Sequence, residues 1–445
     1  MKIETPGWGI EPVPERLRVL GLVDTMLLWT NLGVSLLVLV AGTFLVPALS
    51  LRNALIAIVI GGLVGNAMLG VAGAIGAQAR VPAMVLMRAP LGRRGSYLAT
   101  GLNVLQNLGW TVFELLVIAA AAAALSDRVF GFEAKWLWTL AFGAFATALA
   151  LAGPIAFVRQ WVRRFAFWIV LASLVYLTWW TLDRVDLGAL WSQPGEGESL
   201  WFGIDLMIAL PASWLPLVAD YTRFSRGQRD AFAGSAIGYL IPNAWLYALG
   251  ALLVLANPAY GDSTSLLTAI ATGGLTAGLA LLALTVDETD EAFANIYSTA
   301  VSLQNVASRL PQRVLIAAAG VVATIGALAI DLVRYEPFLF LLGSFFVPLF
   351  GVLLADWLAA RRHYTVADIF GAPPARPAQI AAWAAGFLAY QWLHPVGPAW
   401  WTDVVGHANP QDIGGASLPS FAISFGLATL AALRYRRPAE KRSGP

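Results

Sequence analysis

The residues with the most chemical potential in this chain are carboxylates that stand where charge is costly. Glu114 lies deep in one long apolar stretch, and Asp287, Glu288, Asp290 and Glu291 crowd together in another. An ionised carboxylate at the centre of a bilayer costs on the order of 2.5–3.5 kcal/mol even on a lenient insertion scale. Such groups cannot face lipid; they line a wet cavity, bind a cation, or share protons through burial and mutual repulsion. Two plainer readings stand beside that one: an arginine at a helix end could pair with some of them, or the segment could unwind into water. At helical spacing Glu288, Glu291, Asn295 and Ser298 share one face, while Thr289 and Asp290 point to other sides. A similar polar stripe runs through Asn103, Asn107, Trp110 and Glu114. A tryptophan one turn from a buried glutamate suits a flat, hydrogen-bonding heterocycle. The ring would stack on the indole while the carboxylate accepts from N–H groups. Without its glutamate, Trp110 would read as packing.

The elements that must position these residues are membrane helices. Of 445 residues, 58% are hydrophobic and 12% charged, against about 25% charged in a soluble domain; the mean hydropathy is +0.70. Formal net charge is +2, which leaves no electrostatic footprint for nucleic acid. Cysteine is absent, so disulfides, thiolate metal sites and cysteine nucleophiles are excluded. The three histidines, His363, His394 and His407, fall in loops or at helix ends, and neither a histidine metal site nor a cofactor is expected. At about 20 apolar residues per span, the stretches 24–48, 51–78, 96–125, 136–155, 160–182 and 201–219 read as helices. So do 231–256, 274–304, 311–330, 335–359, 376–394 and 415–434. An all-α polytopic membrane protein of about 12 transmembrane helices is the fold class this predicts. The charged residues Lys2, Glu4, Glu11, Glu15, Arg16 and Arg18 before the first span speak against a cleavable signal peptide.

Charge sets the orientation independently of hydropathy. With residues 1–23 in the cytoplasm, basic residues gather on that side: Arg80, Arg88, Arg93 and Arg94; Arg159, Arg163 and Arg164; Arg223, Arg226 and Arg229; and Arg434, Arg436, Arg437, Lys441 and Arg442. Outside that pattern stand Arg52, Arg128, Lys135, Arg184 and Arg334. This loop-by-loop alternation is the positive-inside pattern; it predicts a cytoplasmic-membrane protein with both termini inside. Pro211 and Pro216 interrupt the sixth span, and Asn31, Gly33 and Ser35 loosen the first. Broken helices in corresponding places of two five-helix halves point to an inverted-repeat transporter with its site at the breaks, although proline and glycine are common in membrane helices generally. The glycines of the second span (Gly61, Gly62, Gly65, Gly70, Gly73, Gly76) read as a close-packing surface. Trp136, Trp138, Trp179, Trp180, Trp400 and Trp401 read as an interfacial aromatic belt.

At these residues the sequence resembles the nucleobase–cation symporter-1 family, which includes cytosine, hydantoin and allantoin permeases and carriers of the hydroxymethylpyrimidine precursor of thiamine. The segments that carry the likeness are Leu28-Trp29-Thr30-Asn31, Arg88-Ala89-Pro90-Leu91-Gly92-Arg93-Arg94-Gly95 and Gly109-Trp110. Further ones are Ser213-Trp214-Leu215-Pro216, Asp220-Tyr221-Thr222-Arg223-Phe224 and Ala294-Asn295-Ile296-Tyr297-Ser298. The resemblance implies a leucine-transporter-type fold of 5+5 inverted repeats plus two C-terminal helices. Its parts would be a cytoplasmic segment 1–23, repeats 24–200 and 201–359, helices 11 and 12 in 360–434, and a basic tail 435–445. It also implies a substrate site of Trp110, Glu114, Glu291, Asn295, Ser213 and Asn31, with Trp214 as the sixth-span aromatic, a position whose register varies in the family. Thr289 and Asp290 fall where sodium-coupled members supply side-chain oxygens, and the carbonyls of Val286, Asn31 and Val34 would complete such an ion site. Carboxylates at Glu114, Asp290 and Glu291 replace the hydroxyl or amide groups familiar there, which leaves the coupling ion open between Na⁺ and H⁺.

The function expected is cation-coupled import of a nucleobase or related pyrimidine by alternating access, through a monomer in the bilayer. The segment Asp287-Glu288-Thr289-Asp290-Glu291 looks most like the thiamine-precursor branch, with cytosine next. A rival is a membrane-embedded, Mg²⁺-dependent prenyltransferase-like enzyme using the same acidic motif. That chemistry needs a second facing acidic motif and basic residues for pyrophosphate, and the sequence offers neither deep in the membrane. A channel is disfavoured, because the carboxylates sit on one asymmetric helix and not in a ring.

Overall fold

The computed structural model of the chain describes residues 9–153, 167–261, 263–330, 335–406 and 414–435. Arg159, Arg163 and Arg164, Arg334, His407 and the basic tail beyond residue 435 lie outside them, as do Lys2 and Glu4. Among the described residues the regular elements are helices, with one isolated bridge between Leu20 and Ser225. We number the principal helices α1 (Leu22–Asn31), α2 (Leu36–Thr43), α3 (Leu51–Ala79), α4 (Ser96–Phe130), α5 (Lys135–Ala152), α6 (Phe167–Leu182), α7 (Leu200–Trp214) and α8 (Val218–Thr222). The second half gives α9 (Gln228–Ala256), α10 (Ser263–Thr272), α11 (Leu275–Asp287), α12 (Thr289–Val306), α13 (Gln312–Ala329), α14 (Tyr335–Ala359), α15 (Pro377–Leu393) and α16 (Ser417–Tyr435).

Seven of these helices are long and apolar enough to cross a membrane alone, or eight if α1 and α2, bent by 60° at their junction, count as one broken span. The remaining expected spans coincide with shorter helices or interrupted pairs. Three interruptions matter. The first span breaks between Asn31 and Leu36, where Ser35 turns extended and its hydroxyl accepts from Leu37 N to start α2. The sixth breaks after Trp214, at Leu215–Leu217, around Pro216; Pro211 stays inside α7. The eighth, expected as one continuous helix, turns at Glu288 between α11 and α12. The helix α10 lies between the seventh and eighth expected spans, in a stretch read from sequence as a loop.

The outer faces are apolar, as a bilayer demands, and the polar residues are gathered within a largely apolar interior. Outward faces carry Val59, Ile60 and Leu63 on α3 and Val321, Val322 and Ile325 on α13, all exposed. Inside, α3 packs on α7 and α9, and α1 and α2 pack on α9; on the other side α12 packs on α4 and α5, and α13 on α5. The α3 glycines serve close approach, as expected. A Cβ at Gly61 would stand 2.7 Å from the Ile204 carbonyl oxygen of α7, and one at Gly70 would stand 2.9 Å from Ala236 Cβ of α9. The C-terminal pair α15 and α16 packs on α14.

Candidate functional site

The two helix groups meet at a small, nearly filled cavity lined from the breaks and from the helices that cross them. Ser35, Leu37 and Val38 come from the start of α2, Trp110 and Glu114 from α4, and Leu210, Ser213 and Trp214 from the end of α7. Leu217, Tyr239 of α9, Glu291 and Asn295 of α12 and Tyr335 of α14 close it. Six residues expected at the substrate site therefore meet here: Trp110, Glu114, Ser213, Trp214, Glu291 and Asn295. Helical spacing accounts for each pair, since Trp110 and Glu114 are one turn apart on α4, as are Glu291 and Asn295 on α12; the packing of α12 on α4 brings the two pairs together.

The polar contacts are specific. Asn295 Nδ2 donates to Glu114 Oε1 at 2.8 Å and to the Glu291 carbonyl at 3.1 Å. Glu114 is fully buried and Glu291 is 5% exposed, and Glu114 Oε2 and Glu291 Oε1 have no hydrogen-bond partner. Trp110 stands edge-on to Tyr335 and Phe338, with centroids 5.7 and 5.2 Å away. Trp214 is held edge-on by Trp29 at 5.5 Å and Tyr239 at 5.8 Å. These T-shaped contacts fix the two indoles as walls.

Asn31 is placed differently from the substrate role expected of it. It does not line the cavity; its Nδ2 donates to Asp287 Oδ1 at 2.9 Å and also to Asp290 Oδ2. The end of α1 is thereby tied to the α11–α12 turn, next to the residues expected to hold a cation. There the Thr289 hydroxyl donates to the Val286 carbonyl at 2.5 Å, so these two oxygens face one another. Val34 is buried in the α1–α2 turn. Asp287 Oδ2 and Asp290 Oδ1 are buried without partners.

Glu288, one turn before Glu291, does not line the cavity but bonds a residue of its wall. Its carboxylate accepts from the Ser35 hydroxyl and from Leu36 N, both at 2.7 Å, at the N-terminus of α2. Glu288 keeps helical dihedrals and its carbonyl accepts from Ala292 N, so it stays one turn from Glu291 and touches the cavity wall through Ser35. A carboxylate at a helix start satisfies free N–H groups and meets the positive end of the helix dipole.

Tyr239 and Tyr335 were missed, because a lone tyrosine in an apolar span carries no periodic signal. Asp287 and Ser35 were noticed for burial and helix breaking but not given a place at the site. Among the described residues the ion pairs lie at the molecule's ends or between α14 and the start of α15: Arg18–Glu15, Arg80–Glu15, Arg184–Asp183 and Arg376–Asp356. None reaches Glu114, Asp287, Glu288, Asp290 or Glu291, so arginine pairing does not account for these five.

Comparison with known proteins agrees with this geometry. A family model described as permease for cytosine/purines, uracil, thiamine, allantoin matches residues 12–393. The hydantoin permease of Microbacterium maritypicum is 25% identical over 380 residues, 79% of this chain and 76% of that one. The allantoin permease of Bacillus subtilis (strain 168) is 24% identical over 383 residues, 74% of this chain and 73% of that one. Among solved structures, Mhp1, a nucleobase-cation-symport-1 family transporter in a closed conformation with bromovinylhydantoin bound, superposes with a TM-score of 0.79 at 20% identity. That match covers 97% of this chain and 95% of the other, and the fold is shared.

Proposed function

Because the chain belongs to the family of permeases for cytosine and purines, uracil, thiamine and allantoin, we propose that it imports a planar nitrogen heterocycle, cytosine or hydroxymethylpyrimidine, by symport with Na⁺ or H⁺. It is a membrane transporter and not an enzyme, so the prenyltransferase-like alternative falls. The observation that carries the substrate reading is the cavity at the helix breaks, where two fixed indoles offer stacking faces and two carboxylates offer unpaired oxygens. Trp110 and Trp214 would hold the ring, with Glu114, Glu291, Asn295 and Ser213 reading its edge. The thiamine-precursor branch is supported by the acidic segment 287–291.

Cation coupling is supported by charge balance. Glu114, Asp287, Glu288, Asp290 and Glu291 are all buried, and burying acceptor-only oxygens without positive charge is costly. A cation that arrives with the substrate would remove that cost. The ion would sit where the α1–α2 break meets the α11–α12 turn, on Thr289, Asp290 and the Val286, Asn31 and Val34 carbonyls. Sodium would take lone pairs that the Thr289 hydroxyl and the Val286 carbonyl keep beside their mutual hydrogen bond; a proton would be shared by Asp287 and Asp290 across Asn31. We place the chain in the cytoplasmic membrane with both termini inside, as two repeats, 24–200 and 201–359, followed by 360–434.

The test is uptake of labelled cytosine or hydroxymethylpyrimidine into proteoliposomes under an imposed Na⁺ or H⁺ gradient. One gradient should drive accumulation of an unchanged substrate, and Asp290→Asn should abolish that gradient dependence. Uptake indifferent to both gradients, or unaltered by Asp290→Asn, defeats the coupling assignment.

A further inference from the structure

The donors and acceptors around the cavity do not balance. Ser35 spends its hydroxyl hydrogen on Glu288, and Ser213 spends its own on the Leu210 carbonyl at 2.6 Å. Asn295 divides its amide hydrogens between Glu114 and the Glu291 carbonyl. The donors left are indole N–H and tyrosine O–H groups on the aromatic walls. Against them stand Glu114 Oε2 and Glu291 Oε1, each on a carboxylate that accepts but does not donate when ionised, each buried and unpartnered. The cavity lining holds two acidic side chains and no lysine, arginine or histidine.

From this imbalance we infer that the cavity selects heterocycles with an amidine edge, an amino group beside a ring nitrogen, and discriminates against imide-type rings. The inference rests on the substrate site proposed above. An amidine edge carrying one added proton presents two parallel N–H donors to a carboxylate, the fork geometry that makes such pairs strong. The proton can start on the ring nitrogen or on a carboxyl; the bound complex has the same composition and net charge either way. An imide such as uracil or hydantoin flanks its N–H with carbonyl oxygens. Turned to this wall, those oxygens would face Glu114 Oε2 and Glu291 Oε1, and a single proton held on one carboxyl would satisfy only one of the two flanking carbonyls, leaving the other oxygen against an ionised carboxylate. Glu114 and Glu291 are therefore the specificity-determining residues, and the selectivity is for charge and donor pattern, with ring size common to both classes.

Cytosine and uracil differ at that edge and little elsewhere, so direct binding of the two to the purified full-length protein is the decisive comparison. Cytosine and 4-amino-5-hydroxymethyl-2-methylpyrimidine should bind at least about tenfold more tightly than uracil, hydantoin or allantoin, the scale of one unmatched buried polar contact. Glu291→Gln turns an acceptor into a group that can donate; it should weaken cytosine and bring the cytosine-to-uracil ratio towards one. Glu114→Gln provides the same readout should the first variant fail to fold. Equal affinity for cytosine and uracil in the unsubstituted protein, or a ratio unmoved by either substitution, overturns the inference and leaves the transport reading standing. Absence of binding by every member of both sets, with the protein folded, overturns both.

Discussion

Glu288 and Glu291 are one turn apart, are both buried, and have different tasks. Glu291 turns an unpartnered oxygen to the cavity, whereas both Glu288 oxygens are occupied by Ser35 and Leu36 N. Removing Glu288 has two opposing effects, since it deletes a negative charge among four others and strips the start of α2 of its acceptor. Comparing two substitutions separates them. Glu288→Gln removes the charge but keeps an oxygen for Leu36 N; Glu288→Ala removes both. We expect Glu288→Ala to be less stable than Glu288→Gln by about 1–3 kcal/mol, the cost of leaving a buried donor unmade, in thermal unfolding of the purified protein. Neither should reverse the preference between cytosine and uracil, because Glu288 does not line the cavity. Equal stability of the two would mean that the Leu36 contact contributes nothing. At this scale the sequence was readable wherever a helix stays regular. Trp110 with Glu114, and Glu291 with Asn295, could be paired from spacing, because the turn that separates each pair is unbroken; that the two pairs form one site was implied by the family resemblance. Glu288 and Asn31 stand at the edges of breaks, and spacing did not say which neighbours their side chains would bond: Ser35 and Leu36 N for one, Asp287 and Asp290 for the other.

At the scale of elements, hydropathy finds the spans but not their interruptions. Pro216 and Gly33 hinted at two breaks; nothing in Asp287-Glu288-Thr289 marks the third, and α10 hides in residues apolar enough to read either way. Close helix contacts are similarly half-legible, since a glycine stripe announces a packing face without naming its partner. The tightest contact joins α2 to α9. A Cβ at Gly250 would run into the Leu39 carbonyl, and one at Gly42 into the Tyr247 carbonyl. Since α2 carries Ser35, Leu37 and Val38 of the cavity wall, pushing it off α9 would disturb the site as well as the packing. Gly250→Ala should therefore lower stability by about 1–3 kcal/mol, the usual cost of overpacking, and depress uptake with it. Gly101→Ala, on the exposed face of α4 with no neighbour within 4 Å, should change neither. If both substitutions are equally silent in thermal unfolding and uptake, the α2–α9 contact is looser than the structure has it.

For the whole molecule, loop charge and loop contact are independent lines of reasoning that meet. Backbone hydrogen bonds tie Val13 to Arg80, Leu20 to Phe224 and Arg93 to Pro373, so those segments share one end. Glu196 bonds to Pro47 and Glu198 to Ala48, which puts the 44–50 and 183–199 segments together at the other. The first end carries Arg16, Arg18, Arg80, Arg93, Arg94, Arg226, Arg361 and Arg362, whereas Arg52 and Arg184 stand near the second. The excess of arginine at the first end is the positive-inside pattern, and the proposed orientation puts that end in the cytoplasm. The absence of native cysteine makes the assignment easy to test with single substitutions at exposed positions. Ser192→Cys, near the second end, should react with a membrane-impermeant maleimide on intact cells. Gln228→Cys, at the start of α9 beside the Leu20–Arg226 contact, should react after permeabilisation and not before. The opposite pattern would invert the molecule. It would also reverse the first broken span, placing α1 on the outer side of the break and α2 on the inner.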